Sequence, residues 1–194
     1  MRLGIDFGTT RTVVSAALDG RYPVASFELA DGYRDYLRGL AVQTGDALHF
    51  GDEAAALLAD GAAGITGVVR SVKRAITGLA PDDRVDALAG RPVDALELAA
   101  AYLAWLRDAI RTRSNLEVAP NEPLEVTIAV PAGAGSRQRF LTLEAFTRAG
   151  FEVAGLVNEP TAAAVEYAHR HLKGVGKRSP KRYVVIYDLG GGTF

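Results

Sequence analysis

"GIDFGTTRTVV", residues 4–14, holds the pattern on which the architecture turns. A short apolar run delivers Asp6, a Gly-Thr-Thr step follows, and a β-branched run resumes. This order predicts a strand, a tight turn and a second strand. Gly8 has no Cβ, so backbone and ligand can approach closely there. The N–H groups of the turn and the hydroxyls of Thr9 and Thr10 can then donate to phosphate oxygens. Asp6 is too near those phosphates to bind them itself and suits a hydrated Mg²⁺. A short glycine motif is weak by itself, and an Asp-Gly hairpin with threonines in strand positions explains the stretch equally well.

Outward from this stretch, residues 12–18 and 22–29 are β-branched or alternating, with "DGR" between them. They complete a three-stranded antiparallel meander. Residues 52–60 predict a helix with acidic residues at its N-terminal end. "VVRSVKRAI" (68–76) predicts a helical segment, and 81–92 a loop with a proline at each end. Residues 93–113 give the clearest helix, with Leu96, Ala99, Leu103, Leu106 and Ile110 at helical spacing and Tyr102 and Trp105 at its side. Next come a strand at 124–132 ending at Pro131, a helix at 136–150 with Ser136 as N-cap and Gly150 as terminator, and a strand at 151–159. A proline-led helix (160–172), a basic linker (173–182) and a buried strand (183–189) complete the chain. Strand–helix–strand–helix–strand order predicts an α/β fold with parallel pairing. Residues 39–111 read as a mostly helical insertion between the parts of a core unit, 1–38 and 112–172.

The 194 residues are 48% hydrophobic and 23% charged, with a net charge of −1 and no cysteine. No strong field draws nucleic acid or anionic membrane. No disulfide or thiolate chemistry is possible. The first residues lack a signal peptide's apolar run, and no stretch reaches membrane-spanning length. The expectation is a cytoplasmic protein with neither nucleic-acid nor membrane partners.

Three further stretches bear on chemistry. "YDLGGGTF" (187–194) repeats the opening logic with Asp188, Gly190, Gly191, Gly192 and Thr193; a flexible terminal tail is the competing reading. "VNEPTAAAVEYA" (157–168) puts Glu159 where a strand meets a helix. There a carboxylate can orient a water, or merely suit the helix N-terminus, worth a few tenths to about 1 kcal/mol. Lys73, between Arg70 and Arg74, can meet phosphate as a point charge or lie on a solvated helix face. His49, His169 and His171 show no metal spacing and read as surface or structural.

In combination the signals are more specific. "GIDFGTTRTVV", "SVKRAITG", "VNEPTAAAVEYA" and "YDLGGGTF", in this order, resemble the nucleotide-binding domain of the heat shock protein 70 (DnaK-like) chaperones. The resemblance implies an actin-like (ribonuclease H-like) ATPase lobe: a mixed five-stranded sheet with flanking helices and the inserted subdomain. It implies ATP/ADP and Mg²⁺ as cofactors. Asp6, Glu159 and Asp188 would surround the metal and the attacking water, and Lys73 would act on the γ-phosphate. Gly8, Thr9, Thr10 and Arg11 would form one phosphate loop, and Gly190, Gly191, Gly192 and Thr193 would open a second. Pro131 would match a proline that couples nucleotide state to the rest of the chaperone. Unfolded polypeptides, J-domain co-chaperones and nucleotide exchange factors would be the partners. Departures mark a divergent member. Arg11 stands where asparagine is common, Gly133 and Ala134 replace an aromatic pair, and 31–67 matches weakly. The further expectation is a first lobe plus the first strand and loop (183–194) of a missing second. Such a fragment would be catalytically incompetent, and strand 183–189 could pair between copies. An actin- or MreB-like filament protein, or a sugar kinase or phosphatase of the same superfamily, is the alternative.

Overall fold

The computed structural model of the chain describes residues 1–172, 179 and 184–187. The expected linker (except residue 179) and the loop with Asp188, Gly190, Gly191, Gly192 and Thr193 lie outside the described residues. Of the strand expected over 183–189, residues 184–187 form no regular element, and Val185 and Tyr187 are 72% and 86% exposed. Among the described residues no strand pairs with them to satisfy their backbone groups in a ladder.

Strands β1 (Arg2–Phe7) and β2 (Arg11–Ala16) form the expected hairpin, with Phe7 opposite Thr12. Alternation sends Leu3, Ile5, Phe7, Val14 and Ala16 to one buried face. Asp19 and Gly20 both have positive φ, at 48° and 76°, as a two-residue hairpin turn requires. The third meander strand is a correction. Residues 22–26 run beside β2, where Ala16 N–H donates to Pro23 O and Ala25 N–H to Val14 O, but Pro23 has no N–H to extend the ladder. Only β3 (Phe27–Leu29) is a regular strand there, and it pairs with β4 (Gly32–Arg34). The place beside β2 goes to β5 (Leu37–Arg38).

The segment 39–111 departs from a mostly helical insertion. Strands β6 (Ala41–Thr44), β7 (Ala47–Phe50) and β8 (Ile65–Val69) form a three-stranded antiparallel sheet in the order β7-β6-β8, with helix α1 (Gly51–Ala59) between β7 and β8. The helix expected over 68–76 shrinks to α2 (Val72–Ile76). Its first residues belong to β8, whose "ITGVV" suits a strand, and Ser71 caps the helix by accepting from Arg74 N–H at 3.2 Å. Helix α3 (Ala95–Thr112) agrees with the periodicity. Asp94 caps it, accepting from Glu97 N–H at 2.6 Å, and all five expected apolar positions are buried. Tyr102 is fully buried rather than lateral, and its hydroxyl donates to Thr12 Oγ1 at 2.9 Å.

Strand β9 (Glu125–Val130), helix α4 (Ser136–Arg148), strand β10 (Glu152–Asn158) and helix α5 (Glu159–His171) supply the expected parallel unit. Ser136 is the first helical residue of α4, not its cap. Gly135 holds the extended cap position and no side chain bonds there. At the other end Gly150 (φ 86°) closes the helix. Its N–H donates to Thr147 O, and Phe151 N–H reaches back to Phe146 O, the Schellman pattern. The five-stranded mixed sheet runs β10-β9-β1-β2-β5. On one face Phe7 stacks on Tyr102 of α3, with ring centroids 5.6 Å apart, and meets Phe146 of α4 edge-on at 6.4 Å. Helix α5 packs against β9 and β10 from the other side, where Asp6, Val13 and Ala129 share a cleft with its Ala162 and Ala163.

Candidate functional site

Because β1 alternates, Asp6 emerges from the face opposite Ile5 and Phe7. It lines a cleft of about 520 Å³ together with Gly8, Thr9, Thr10, Arg11, Lys73 and Glu159. Every described residue singled out for nucleotide chemistry therefore faces one space, although 86 positions separate Lys73 from Glu159. The cleft lies where β1, β9 and β10 end and α5 begins, the crevice that open α/β sheets reserve for ligands.

The turn between β1 and β2 is tightly held. Gly8 N–H donates to Arg11 O at 3.1 Å. A Cβ at position 8 would lie 2.3 Å from that same oxygen, so only glycine fits. Ser71 Oγ donates to Thr9 O at 2.5 Å, and Gly39 N–H donates to Thr10 O at 3.2 Å. Val72 N–H closes the circuit on Gly39 O at 2.7 Å. Two turn carbonyls are thus fixed by groups far away in sequence, and the turn has one defined shape. Arg11 is drawn outward, with its guanidinium carbon 4.4 Å from the centre of the Tyr36 ring.

Lys73 projects from α2 and Glu159 from the first turn of α5. Their Nζ and Oε1 are 2.7 Å apart, and the side chains are only 11% and 16% exposed. The sequence placed both residues in the site but gave no reason to expect them to pair with each other. Neither side chain faces water freely, so an ammonium and a carboxylate confront the cleft as one dipole.

Arg139 was invisible in the sequence. Its Nη2 donates to Asn158 Oδ1 at 2.7 Å and its Nε to Ala134 O at 3.0 Å. The loop after Pro131 is thereby tied to the residue preceding Glu159. No local pattern marks this arginine, because both partners come from other elements. Pro131 itself accepts from Ala134 N–H at 3.0 Å. The three histidines fit structural roles. His49 lies between Glu53 Oε1 (2.7 Å) and Thr44 Oγ1 (2.8 Å), His169 meets the Tyr22 ring edge-on, and His171 lies against the Tyr167 ring.

Among the described residues no three His, Cys, Asp or Glu side chains gather as a metal cluster. Mg²⁺ does not demand one. It takes one or two carboxylates and fills its octahedron with water and phosphate oxygens. Asp6 and Glu159, two carboxylates on one cleft beside threonine hydroxyls, are donors of that kind. Among the described residues no helix is long and apolar enough to cross a membrane.

Comparison with known proteins gives the chain's family. The Hsp70 protein family model matches residues 69–194. The chaperone protein DnaK of Mycoplasma mycoides is 30% identical over 192 residues, covering 99% of this chain and 29% of its own length. The chaperone protein HscA homolog of Acinetobacter baumannii strain AYE is 35% identical over 206 residues, covering 99% and 31%. The DnaK of Mesomycoplasma hyopneumoniae strain 232 is 32% identical and covers 99% and 28%. The chain thus spans under a third of the length of these relatives. With the family model matching well over half of it, the chain belongs to the Hsp70 family.

Proposed function

We propose that this chain forms one wall of the nucleotide site of an ATP-binding, ATP-hydrolysing molecular chaperone of the cytoplasm, using Mg²⁺. The observation that carries the reading is the convergence of the Gly8–Arg11 turn, Lys73 and Glu159 on one cleft with Asp6. Residues 1–38 and 112–172 form the core of this lobe, and 39–111 the inserted part. Unfolded polypeptides, J-domain co-chaperones and nucleotide exchange factors are the partners of such a chaperone.

Phosphoryl transfer asks a protein mainly to position charge around an in-line attack. The N–H groups of Thr9 and Thr10 and their hydroxyls donate to phosphate oxygens. Lys73 Nζ trades its bond to Glu159 for a phosphoryl oxygen, where its charge opposes the negative charge of the transition state. Glu159, released from Lys73, accepts a proton of the water as the water oxygen bonds to the γ-phosphorus, and the bond from that phosphorus to the bridging oxygen breaks to release ADP and phosphate. Asp6 and Glu159 would hold Mg²⁺ through its waters. The bound ion would neutralise phosphate charge. In this proposal Gly190, Gly191, Gly192 and Thr193 complete the phosphate contacts, and Asp188 joins Glu159 around the metal and the attacking water.

Amide NMR of the 194-residue chain tests the reading. Titration with Mg·ATP is expected to shift Gly8, Thr9 and Thr10 most, with a Kd near the millimolar range (about −4 kcal/mol), because this wall alone supplies part of the contacts. Lys73→Met should abolish the shifts, and adenosine should not reproduce them. Shifts centred elsewhere, or unchanged in Lys73→Met, would overturn the proposal. Hydrolysis stimulated by peptide, in a polypeptide carrying this lobe, would distinguish a chaperone from a sugar kinase or a filament protein.

A further inference from the structure

We propose that Arg11, Arg38 and Arg70 form a second anion subsite for a phosphate-class oxyanion, on the outer side of the phosphate turn. It rests on the proposed function only in sharing Thr10 and Arg11 with the nucleotide cleft.

Three chain segments meet at this point, and each contributes one arginine. The β1–β2 turn brings Arg11, the short edge strand β5 brings Arg38, and the joint between β8 and α2 brings Arg70. The hydrogen bonds that lock the turn also lock this junction: Gly39 N–H to Thr10 O, Val72 N–H to Gly39 O, and Ser71 Oγ to Thr9 O. The three arginines line a pocket of about 390 Å³ with Thr10 and Tyr36. No carboxylate lines it. The pocket is open to solvent, so it sets no upper limit on the length of a phosphate chain.

The register sharpens the point. Arg11 and Arg38 are direct cross-strand partners in the antiparallel pair of β2 and β5. Like charges at such a position repel and destabilise a sheet. The chain relieves this only in part. Arg11 lies over Tyr36 at 4.4 Å. Arg38 reaches Asp52 at 3.2 Å, but Asp52 already serves Arg34 at 2.6 Å. Among the described residues neither Arg11 nor Arg70 has a carboxylate within ion-pair distance. A sheet edge is often guarded by charge against pairing with another chain. That accounts for Arg38 on β5 but not for Arg11 on the interior strand β2, nor for Arg70 on no strand at all. Guanidinium forks match phosphate oxygens two at a time, and an anion held between them would remove the repulsion.

The ligand is either the phosphate leaving the adjacent cleft or a separate polyphosphorylated small molecule. Arginine side-chain NMR of the 194-residue chain separates the two at constant ionic strength. Inorganic phosphate is one probe and inorganic tripolyphosphate the other, with chloride as reference. The expected result is saturable shifts at the Nε–H of Arg11, Arg38 and Arg70. Saturation by phosphate alone supports the leaving group as ligand, and saturation by tripolyphosphate only supports a polyphosphate. The double variant Arg38→Gln, Arg70→Gln should weaken binding by about tenfold or more, while Mg·ATP still shifts Thr9. Should that variant misfold, Arg38→Lys, Arg70→Lys keeps the charge and loses the forks, and an intermediate loss is expected. Lys73→Met should leave phosphate binding at the arginines intact, so failure of the cleft and failure of this pocket register separately. Non-saturating shifts of equal size at all arginines, or full affinity in the double variants, would overturn the subsite.

Discussion

The two faces of the central sheet come from the same strands and differ in almost everything else. Facing α3 and α4 are Leu3, Ile5, Phe7, Val14, Val126, Ile128 and Val130, all buried. Facing α5 and the cleft are Gly4, Asp6, Val13, Ser15, Thr127 and Ala129, none of them buried. Helix α3 buries nine of its residues, and α5 buries none. Stability is concentrated on one side of a single layer and the proposed phosphate site on the other. Small and polar residues keep the second face open, and the first must compensate.

The comparison can be broken most forcefully from the core side. Phe146→Ala removes a ring that meets both Phe7 and Phe151 in a fully buried position. It should destabilise the chain by about 3–5 kcal/mol in chemical denaturation. Val165→Ala on α5, at a side chain 63% exposed, should change stability by less than about 0.5 kcal/mol. Similar losses for the two would show that the faces are not unequal.

A smaller effect is expected at Tyr102. Burial pushes its phenol above the ordinary value, so the hydroxyl stays protonated and serves as a donor to Thr12. Tyr102→Phe leaves the buried Thr12 hydroxyl without this partner, at about 1–2 kcal/mol. Adding Thr12→Val should restore part of the loss in a double-mutant cycle.

The smallest effect lies at the rim. Glu122 is held below the ordinary glutamate value of 4.5, first by its hydrogen bond with the N-terminal ammonium and then by Ala119 N–H. A depressed folded pKa gives stabilisation that is fully present above the unfolded value and lost as pH falls through the folded one. Glu122→Gln should therefore flatten the acid side of a stability–pH profile below about pH 4.5 and slightly lower stability at neutral pH. An unchanged acid limb would remove this pair from the account.

What the sequence disclosed follows the range of the forces involved. Alternation along β1, the period of α3, the Asp-Gly turn and Gly150 are local effects, and each was legible. So was the assembly of Asp6, the Gly8–Arg11 turn, Lys73 and Glu159, though it was read through resemblance rather than spacing. Pro23 hid the break in the third meander strand, because alternation alone cannot weigh a missing N–H. Ser71 was read as helix interior, although serine there competes for backbone bonds and starts a helix. β6 and β7, a hairpin across Gly45 and Asp46, were missed because each has only four residues, and β8 because it pairs with β6 at a distance. Arg139 and the Arg11–Arg38 opposition depend on tertiary register, which no window of sequence contains.

The clasp of Thr9, Thr10, Gly39, Ser71 and Val72 has a thermodynamic consequence. Ordering a free loop costs roughly 1–2 kcal/mol per residue in backbone entropy. A turn already fastened to two other segments has met that requirement during folding, so ligand capture there should carry little ordering penalty. The Gly8, Gly39 and Val72 amides, which donate within the clasp, should resist solvent exchange before any nucleotide arrives, and the heat of binding should report charge and hydration rather than the freezing of a loop.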